Sequence, residues 1–173
     1  MERWLIGDTH FFDKDIILFE NRPFESVKEM NETLIKNWNS VVADNDIVYL
    51  LGDVANTNGL NKAELQKVIK SLSGKIILIS GNHDENDLDF YEGGCKMEVY
   101  KYPIIVDDFW MLSHKPLYIT NNAPYANIFA HVHNNPIYKT TTSRSACVSA
   151  ERINYTPVNF KEIKSNIQWI NEV

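Results

Sequence analysis

The residues with the clearest potential for chemistry stand directly after strand-like runs of apolar sequence. The runs WLIG, VYLLG, ILISG, FWMLS and NIFA each lead at once into aspartate, asparagine, or histidine. All five histidines of the chain belong to these groups. The candidate residues are Asp8, His10, Asp53, Asn82, His83, Asp84, His114, His131 and His133. Side chains of these types, offered in pairs and triplets, suit the binding of a metal ion.

Strand ends can bring these residues together although they are far apart in the sequence. In open α/β sheets, sites form beyond the carboxyl ends of the strands. A small residue precedes each group, which allows the backbone to turn sharply there. Asp8 and His10 are two residues apart, as are His131 and His133. In extended backbone this spacing puts both side chains on one side, so the pattern predicts a shared metal site.

Each group by itself has an ordinary structural explanation. A single aspartate at a strand end, such as Asp53, is usually a turn or a helix cap, and a single histidine, such as His114, usually has a structural partner. These explanations do not account for five such groups in one chain, each after a strand and a small residue. The joint pattern is therefore the argument for a metal site.

Length and composition set limits on the class of protein. With 173 residues, 44% hydrophobic and 23% charged, the chain is expected to form a single domain over residues 1–173. No apolar run has the length of a membrane span, the N-terminus leaves no room for a signal peptide, and Cys95 and Cys147 are expected to be reduced packing thiols. These features predict a cytoplasmic protein that does not associate with membranes.

The net charge bears on the class of partner. A formal charge of −6 argues against broad non-specific nucleic-acid binding, which requires a basic face. Two bound divalent cations would bring that −6 to −2 and would place their positive charge in one cleft. An enzyme that uses metal ions to act on phosphates therefore remains compatible with the acidic sequence.

The first half of the chain alternates between strand and helix patterns. Apolar runs over residues 3–7, 47–52 and 75–80 read as buried strands. Between them, helices are expected from Ser26 and from Asn61, each with glutamate three residues later in a capping-box pattern. A β-α-β-α-β order predicts that part of the sheet is parallel.

After residue 94 the pattern changes to short strand-like runs separated by turn signals. These runs are MEVYKYPIIV, FWMLS, NIFA and SACVS. They predict a second, more antiparallel set of strands. A closing helix is expected from Asn159, with Phe160, Ile163, Ile167 and Ile170 on one face.

The series GDTH, GDVA, GNHD, SH and HVH resembles the motifs of the calcineurin-like metallophosphoesterases, D-x-H, G-D, G-N-H-[DE], H and G-H-x-H. The match spans residues 8 to 133, with Ala130 where the family usually has glycine. The stretches NRPF (21–24) and NYTP (154–157) resemble a small, uncapped bacterial or phage-type branch.

The resemblance implies an α/β fold, a four-layer αββα sandwich of two mixed β-sheets flanked by helices, with two divalent metal ions. One ion would be held by Asp8, His10, Asp53 and His133. The other would be held by Asp53, Asn82, His114 and His131. Such oxygen and nitrogen ligands without thiolate are consistent with Mn²⁺ as the first choice, and with Fe or Zn²⁺.

The resemblance also implies catalytic roles within GNHD. Asn82 would be a metal ligand, His83 would donate a proton to the leaving oxygen, and Asp84 would orient His83. Arg22, in NRPFES, is a candidate for binding substrate phosphate, because guanidinium pairs well with phosphate oxygens. The alternative for Arg22 is an ordinary surface arginine before a helix.

The sequence predicts a phosphoesterase that uses a metal-activated water, with phosphodiesters as the favoured substrates. Related protein phosphatases carry G-D-x-V-D-R-G, whereas this chain has GDVANTNG without the arginine. Nucleotides and cyclic nucleotides are among the expected substrates, and the oligomeric state is left open. Two alternatives are a non-catalytic binding module, as in the family's retromer subunit, and a nuclease. The retromer subunit lacks the catalytic histidine, whereas this chain has His83.

Overall fold

Two β-sheets form the centre of the structure, a computed structural model that describes residues 1–57, 61–120 and 122–167. The first sheet has the strand order β4-β3-β2-β1-β9. Its strands are β1 Arg3–Ile6, β2 Ile47–Leu50, β3 Lys75–Ile79, β4 Glu98–Tyr100 and β9 Val158–Asn159. Strands β1 to β4 are parallel and β9 is antiparallel to β1, so the β-α-β-α-β prediction is confirmed.

Helices connect the parallel strands of the first sheet. They are α1 Lys14–Phe19, α2 Val27–Val41 and α3 Lys62–Ser71. The Ser26 side chain accepts a hydrogen bond from the Glu29 N–H at the start of α2, and the Asn61 side chain caps α3 by accepting from the Ala63 N–H. The Glu29 carboxylate, however, accepts from the Glu25 N–H, one residue before the position expected for a capping box.

The helices cover one face of the first sheet with apolar side chains. Met30, Leu34 and Trp38 of α2 and Leu65 and Ile69 of α3 are buried in one cluster with the sheet residues. Their spacing of three and four residues places them on one side of each helix. This packing fixes the carboxyl ends of β1, β2 and β3 in a rigid layer.

The second sheet has the order β5-β6-β7-β8. Its strands are β5 Ile104–Val106, β6 Trp110–Leu112, β7 Ala126–Phe129 and β8 Ser145–Cys147. Only β5 and β6 pair in antiparallel fashion, whereas β6, β7 and β8 are parallel within the described residues. With one antiparallel pair of three, against one of four in the first sheet, the second sheet is only slightly the more antiparallel of the two. The parallel pairing of β6, β7 and β8 was not visible in the sequence, because the described parts of the connections 113–125 and 130–144 contain no helix that would reveal a crossover.

Several other elements differ from the predicted ones. The run MEVYKYPIIV is divided, with β4 in the first sheet and β5 in the second. The closing helix, α4 Phe160–Asn166, is preceded by β9, and the predicted apolar position Ile170 lies outside the described residues. A 3₁₀ helix, Ala150–Ile153, follows β8 and carries the acidic residue Glu151.

The two sheets face each other across a second apolar cluster, which Phe160 and Ile163 of α4 complete at one side. At the end of the sheets where β1 and β7 finish, a Cβ built on Gly7 would lie 2.4 Å from the Cβ of Ala130. Glycine is therefore required opposite Ala130, and the two sheets approach each other closely at this end. The predicted fold class, two mixed sheets with flanking helices, is confirmed.

The chain also joins the two sheets by backbone hydrogen bonds at the same end. Gly7 N–H donates to the Val148 carbonyl at 2.9 Å, and Ala150 N–H donates to the Gly7 carbonyl at 3.0 Å. The carboxyl ends of β1, β2 and β3 consequently face those of β6 and β7. Among the described residues, no helix combines the length and apolar character needed to cross a membrane.

Candidate metal centre

The seven predicted metal ligands come together where the five strand ends meet. The first ligand group, as we call it, contains Asp8, His10, Asp53 and His133, and the second ligand group contains Asp53, Asn82, His114 and His131. One potential ligand atom from each member of the first group lies within 4.8 Å of the others, and the same holds for Asp53, His114 and His131. The fourth member of the second group, Asn82, places its Oδ1 3.0 Å from His114 Nε2.

The second ligand group brings potential metal-ligand atoms together around His114 Nε2. His114 Nδ1 lies 2.8 Å from the Leu51 carbonyl, which can only accept, so Nδ1 carries a proton. In the neutral ring Nε2 then has a lone pair, and it faces Asn82 Oδ1 at 3.0 Å, His131 Nδ1 at 3.0 Å and Asp53 Oδ2 at 3.4 Å. A proton on Nε2 would serve one of these acceptors, whereas a metal ion serves all of them.

The first ligand group contains two buried polar atoms without hydrogen-bond partners. They are Asp8 Oδ1 and His10 Nε2, and both residues are almost completely buried. His10 Nδ1 lies 3.3 Å from Asp13 Oδ2, and His10 Nε2 lies 3.6 Å from Asp53 Oδ2. Buried polar atoms are rarely left without a partner, and a divalent cation held by these residues would satisfy both.

Two acidic residues that back the histidines were not identified as functional from the sequence. Asp13 is buried and pairs with His10. Glu151 accepts from His133, with Nδ1 and Oε1 3.0 Å apart. Carboxylates that hold the far nitrogen of a metal-binding histidine are common in metal sites. The spacing of Asp13, three residues after His10, was the available signal, whereas no local pattern pointed to Glu151.

Mutual proximity changes the protonation of the groups in the absence of metal. Burial opposes the protonation of His10, but Asp13 and Asp53 outweigh it and raise its pKa to about 9. Burial also opposes ionisation of Asp53, yet hydrogen bonds from His10 and His114 lower its pKa. The pKa of His131, in contrast, is lowered by burial and by the nearby His114. Positive charge is thus already favoured in the first ligand group.

The backbone at the ligands differs from the extended conformation that the sequence suggested. The φ angles are 56° at Asp8, 49° at His10, 53° at Asp53, 68° at His131 and 44° at His133. Left-handed backbone is uncommon outside glycine, although aspartate and histidine adopt it more readily than most residues. Such strained conformations concentrate at functional sites. The two pairs spaced two residues apart still direct both side chains into one centre.

Asp84 has a different position from the one predicted for it. Its carboxylate is fully buried and accepts from the backbone N–H groups of Asp53 at 2.7 Å, Gly81 at 2.9 Å and Val54 at 3.0 Å. These contacts contradict the predicted role of orienting the His83 ring. Asp84 instead ties together the loops that follow β2 and β3. These loops are close, since a Cβ on Gly81 would lie 2.2 Å from Asp53 Oδ1.

His83 stands at the open side of the centre. Its side chain is exposed, and its ring centroid is 5.1 Å from that of His10. The His83 N–H donates to Asp53 Oδ1 at 2.9 Å, which anchors its backbone to the residue shared by both ligand groups. The ring therefore lies beside the metal ligands and remains accessible to a bound molecule.

Arg22 lies beneath the centre, out of reach of substrate. Its side chain is buried, with Nε and Nη2 donating to Glu151 Oε1 at 2.9 Å and 2.6 Å. Nη2 also donates to the Asp8 carbonyl at 2.7 Å, and Nη1 donates to the Thr9 carbonyl at 3.0 Å. The prediction that Arg22 binds substrate phosphate is therefore wrong, and the alternative of a surface arginine is wrong as well.

A cavity of about 330 Å³ adjoins the second ligand group. Asn82 and His114 form part of its wall, together with Lys101, Tyr102 and Lys115. The loop that carries Lys115 is held in place, because Ser113 Oγ donates to the Lys115 carbonyl at 2.7 Å. A molecule bound at the metal centre can thus extend into a pocket that is lined by two lysines and by the carboxylate of Glu85.

Several known proteins are similar to this chain in sequence or in fold. A protein of Methanocaldococcus jannaschii described as uncharacterised is 40% identical over 171 residues, covering 95% of this chain and 90% of its own length. The Gene 66 protein of Mycobacterium phage L5 is 35% identical over 83 residues, covering 47% of this chain and 39% of its own. The crystal structure of a protein of unknown function from Aquifex aeolicus superposes with a TM-score of 0.72 at 26% identity, covering 95% and 98% of the two chains.

The family comparison agrees with the geometry of the centre. The calcineurin-like phosphoesterase family matches residues 1–169, which include all seven residues of the two ligand groups. The match extends over every residue that the structure describes, and the clustered aspartates and histidines lie within it. The protein therefore belongs to the calcineurin-like phosphoesterase family and is a metal-dependent phosphoesterase, as its motif series predicted.

Proposed function

We propose that the protein hydrolyses phosphodiesters with two divalent metal ions, one in each ligand group, and with Asp53 bridging them. The observation that carries the proposal is the convergence of potential ligand atoms on both sides of Asp53, among them the unpartnered Asp8 Oδ1 and His10 Nε2 of the first ligand group. Asp53 Oδ2 lies 3.6 Å from His10 Nε2 and 3.4 Å from His114 Nε2. Mn²⁺ is the preferred ion, with Fe and Zn²⁺ as alternatives, because the ligands are oxygen and nitrogen atoms without thiolate.

When bound, such ions supply positive charge for the phosphate oxygens and lower the pKa of water, so that hydroxide is available to attack phosphorus at neutral pH. The chain's own residues orient these components. The Asp84 carboxylate fixes the Asp53 loop through two backbone amides, and the small residues at the strand ends let the loops that carry the ligands pack closely, as Gly81 does against Asp53.

His83 is proposed as the general acid that protonates the leaving oxygen. It is exposed beside the centre, adjacent to His10, and its backbone is fixed by Asp53. Its ring has no hydrogen bond to a ligand residue within the described chain, so it is free to transfer a proton. General acid catalysis of this kind typically contributes roughly 10²–10⁴-fold to the rate.

The cavity beside Asn82 and His114 supports the preference for diesters. Its volume of about 330 Å³ leaves room for a second substituent on the phosphorus. Tyr102 exposes its ring at the cavity, and Lys101 and Lys115 bring positive charge, which fits a nucleotide or cyclic nucleotide. The GDVANTNG sequence without arginine points in the same direction.

A substrate comparison tests the preference. The purified protein, stripped of metal and reloaded with Mn²⁺, should hydrolyse bis(p-nitrophenyl) phosphate with a higher kcat/KM than p-nitrophenyl phosphate. A clear preference for the monoester would contradict the diester assignment. Absence of turnover on every ester, with both ions bound, would instead support a non-catalytic binding module.

A leaving-group comparison tests the role of His83. His83→Ala should keep both metal ions and lose roughly 10²–10⁴-fold in rate on a diester with a nucleoside leaving group. The loss should be much smaller with p-nitrophenolate, which departs without a proton. Asn86→Ala, a change at an exposed neighbour, is the matched control. Equal losses on both leaving groups, or loss of metal from the His83 variant, would overturn the assignment.

A further inference from the structure

We infer that Arg22 and Glu151 are positioning residues for His133, and that together they hold the first ligand group while leaving the second unaffected. The inference rests on the proposed dinuclear site and assigns a role to two residues that do not themselves contact the metal position. Arg22 and Glu151 are 129 residues apart in sequence and meet beneath the centre.

Glu151 fixes the orientation of the His133 ring. The Glu151 carboxylate has 2% of its side-chain surface exposed, and its Oε1 lies 3.0 Å from His133 Nδ1. A carboxylate can only accept here, so His133 donates from Nδ1 and turns its unprotonated Nε2 toward the centre. The carboxylate also makes the imidazole a stronger ligand.

Arg22 holds Glu151 in the position that this requires. Its Nη2 is 2.6 Å from Glu151 Oε1, and its side chain is 0% exposed. The same guanidinium donates to the carbonyls of Asp8 and Thr9, in the segment that carries the first two ligands. Arg22 therefore joins the loop after β1 to the 3₁₀ helix after β8. Through Glu151 this connection extends to His133 in the loop after β7, so that ligands from the two sheets keep one geometry.

The described contacts of the pair are confined to one half of the centre. Arg22 contacts the Asp8–Thr9 backbone, Met30, Glu151 and the ring of Tyr155, and Glu151 contacts Arg22 and His133. The His114 ring is instead held by the Leu51 carbonyl. Loss of the pair should consequently weaken one ion and spare the other.

A buried ion pair also has a simpler explanation, in which it contributes only to folding. Removing one partner of such a pair leaves an uncompensated buried charge and is strongly destabilising, whereas replacing both with apolar residues is often tolerated. The double variant Arg22→Met with Glu151→Leu avoids the unpaired charge. Glu151→Gln keeps an oxygen that can accept from both His133 and Arg22, and serves as the conservative rescue.

The experiment titrates Mn²⁺ into metal-free wild type and variants by calorimetry, with metal content measured after gel filtration. Wild type should bind two ions per chain. The double variant should bind one ion with unchanged affinity and the other about 10–100-fold more weakly, the usual cost of losing an outer partner of a metal ligand. Glu151→Gln should lie between them.

A second readout reports on the ring itself. In the Zn²⁺-loaded protein, ¹⁵N NMR should find the proton of His133 on Nδ1 in wild type and Glu151→Gln, and this preference should be lost in the double variant. Asp46→Asn is the control for a buried carboxylate, because Asp46 accepts from Glu2, Trp4 and Ala43 at the opposite end of the sheet. This control should lower the Tm without changing metal binding.

The outcomes separate this inference from the proposed function. If wild type and the folded double variant bind two ions equally well, the pair is structural only and the inference is wrong. If both ions weaken to the same extent, the selectivity for the first ligand group is wrong. If wild type binds no divalent ion, the dinuclear function itself fails, and the inference fails with it.

Discussion

The two halves of the metal centre share Asp53 but differ in what supports their histidines. In the first ligand group, His10 and His133 are backed by the buried carboxylates of Asp13 and Glu151. In the second, His114 is backed by a neutral backbone carbonyl. The first group lies almost entirely beneath the surface, whereas Asn82 of the second is exposed.

This difference indicates that the two ligand groups bind their ions with different affinity. The first group adds the charges of Asp8 and Asp13 to that of Asp53, while Arg22 balances the charge of Glu151, and charges in a buried site act strongly on a cation. The second group has only the shared Asp53 carboxylate and a neutral amide, and it adjoins the cavity. We therefore expect a tightly held ion in the first half and a more exchangeable, substrate-facing ion in the second.

The largest effect should come from Asp53→Asn, because this residue belongs to both halves. Metal content should fall below one ion per chain, and activity should fall by more than the roughly 10–100-fold that loss of an outer partner costs. Elemental analysis and the diester assay measure these effects. Asp87→Asn, a change at a buried aspartate that pairs with Lys62, is the control. Retention of two ions in Asp53→Asn would break the bridging model.

Single-ligand variants should separate the two halves. His133→Ala should lose the ion of the first group and Asn82→Ala that of the second, so each protein should keep close to one ion after gel filtration. The remaining ion in Asn82→Ala should resist removal better, since its site carries more negative charge. If the remaining ion were instead removed more easily from Asn82→Ala than from His133→Ala, the second ligand group would be the tighter site.

Stepwise chelation of the wild-type protein should give the same order without any substitution. Limiting EDTA should remove one ion quickly and the other slowly, and the first to leave should be the ion of the exposed second group. Asn82→Ala, which lacks that ion, should show only the slow phase. A single phase for wild type would mean that the two sites are equivalent.

The smallest effect concerns pH in the metal-free protein. Burial opposes the protonation of His10, but Asp13 and Asp53 outweigh it and raise the pKa of this histidine to about 9. Protonated His10 therefore stabilises the folded protein fully below the ordinary pKa of 6.5. This stabilisation is lost as the pH rises through about 9. The free energy of unfolding should fall by at most about 3 kcal/mol over this range. Chemical denaturation at several pH values measures the slope.

The partner of His10 provides the control for that slope. Asp13→Asn should flatten the decline, because it removes a carboxylate that holds the proton on His10. Saturating Mn²⁺ should reverse the decline, since metal binding requires deprotonated ligands and strengthens as pH rises. A slope that Asp13→Asn leaves unchanged would show that the proton is held elsewhere.

The parts of the molecule that could be predicted from sequence are those with local signals. Apolar runs ending in a small residue located the five strand ends, and the residue types after them gave the ligands that the structure brings together. The caps of α2 and α3 were likewise visible at Ser26 and Asn61. Each of these features depends on neighbours within a few positions.

The features that were missed depend on partners far away in the chain. Arg22 carries a charge that suits phosphate, but its burial is decided by Glu151, 129 residues further on. Asp84 was assigned to His83 through the family resemblance of the GNHD motif, whereas its partners are backbone amides, two of them 30 and 31 residues upstream. The direction of β7 and β8 was also hidden, because no helix marks their crossovers.

The left-handed backbone at the ligands has a consequence for how this fold changes over time. Conformations of that kind cost of order 1–3 kcal/mol each and persist only where the surroundings enforce them. Substitutions that relieve this backbone strain, such as glycine at position 10 or 133, also remove a metal ligand. Selection for stability alone therefore favours replacement of these ligands. A descendant that no longer needed the chemistry of the centre would retain the two-sheet fold and lose the histidines.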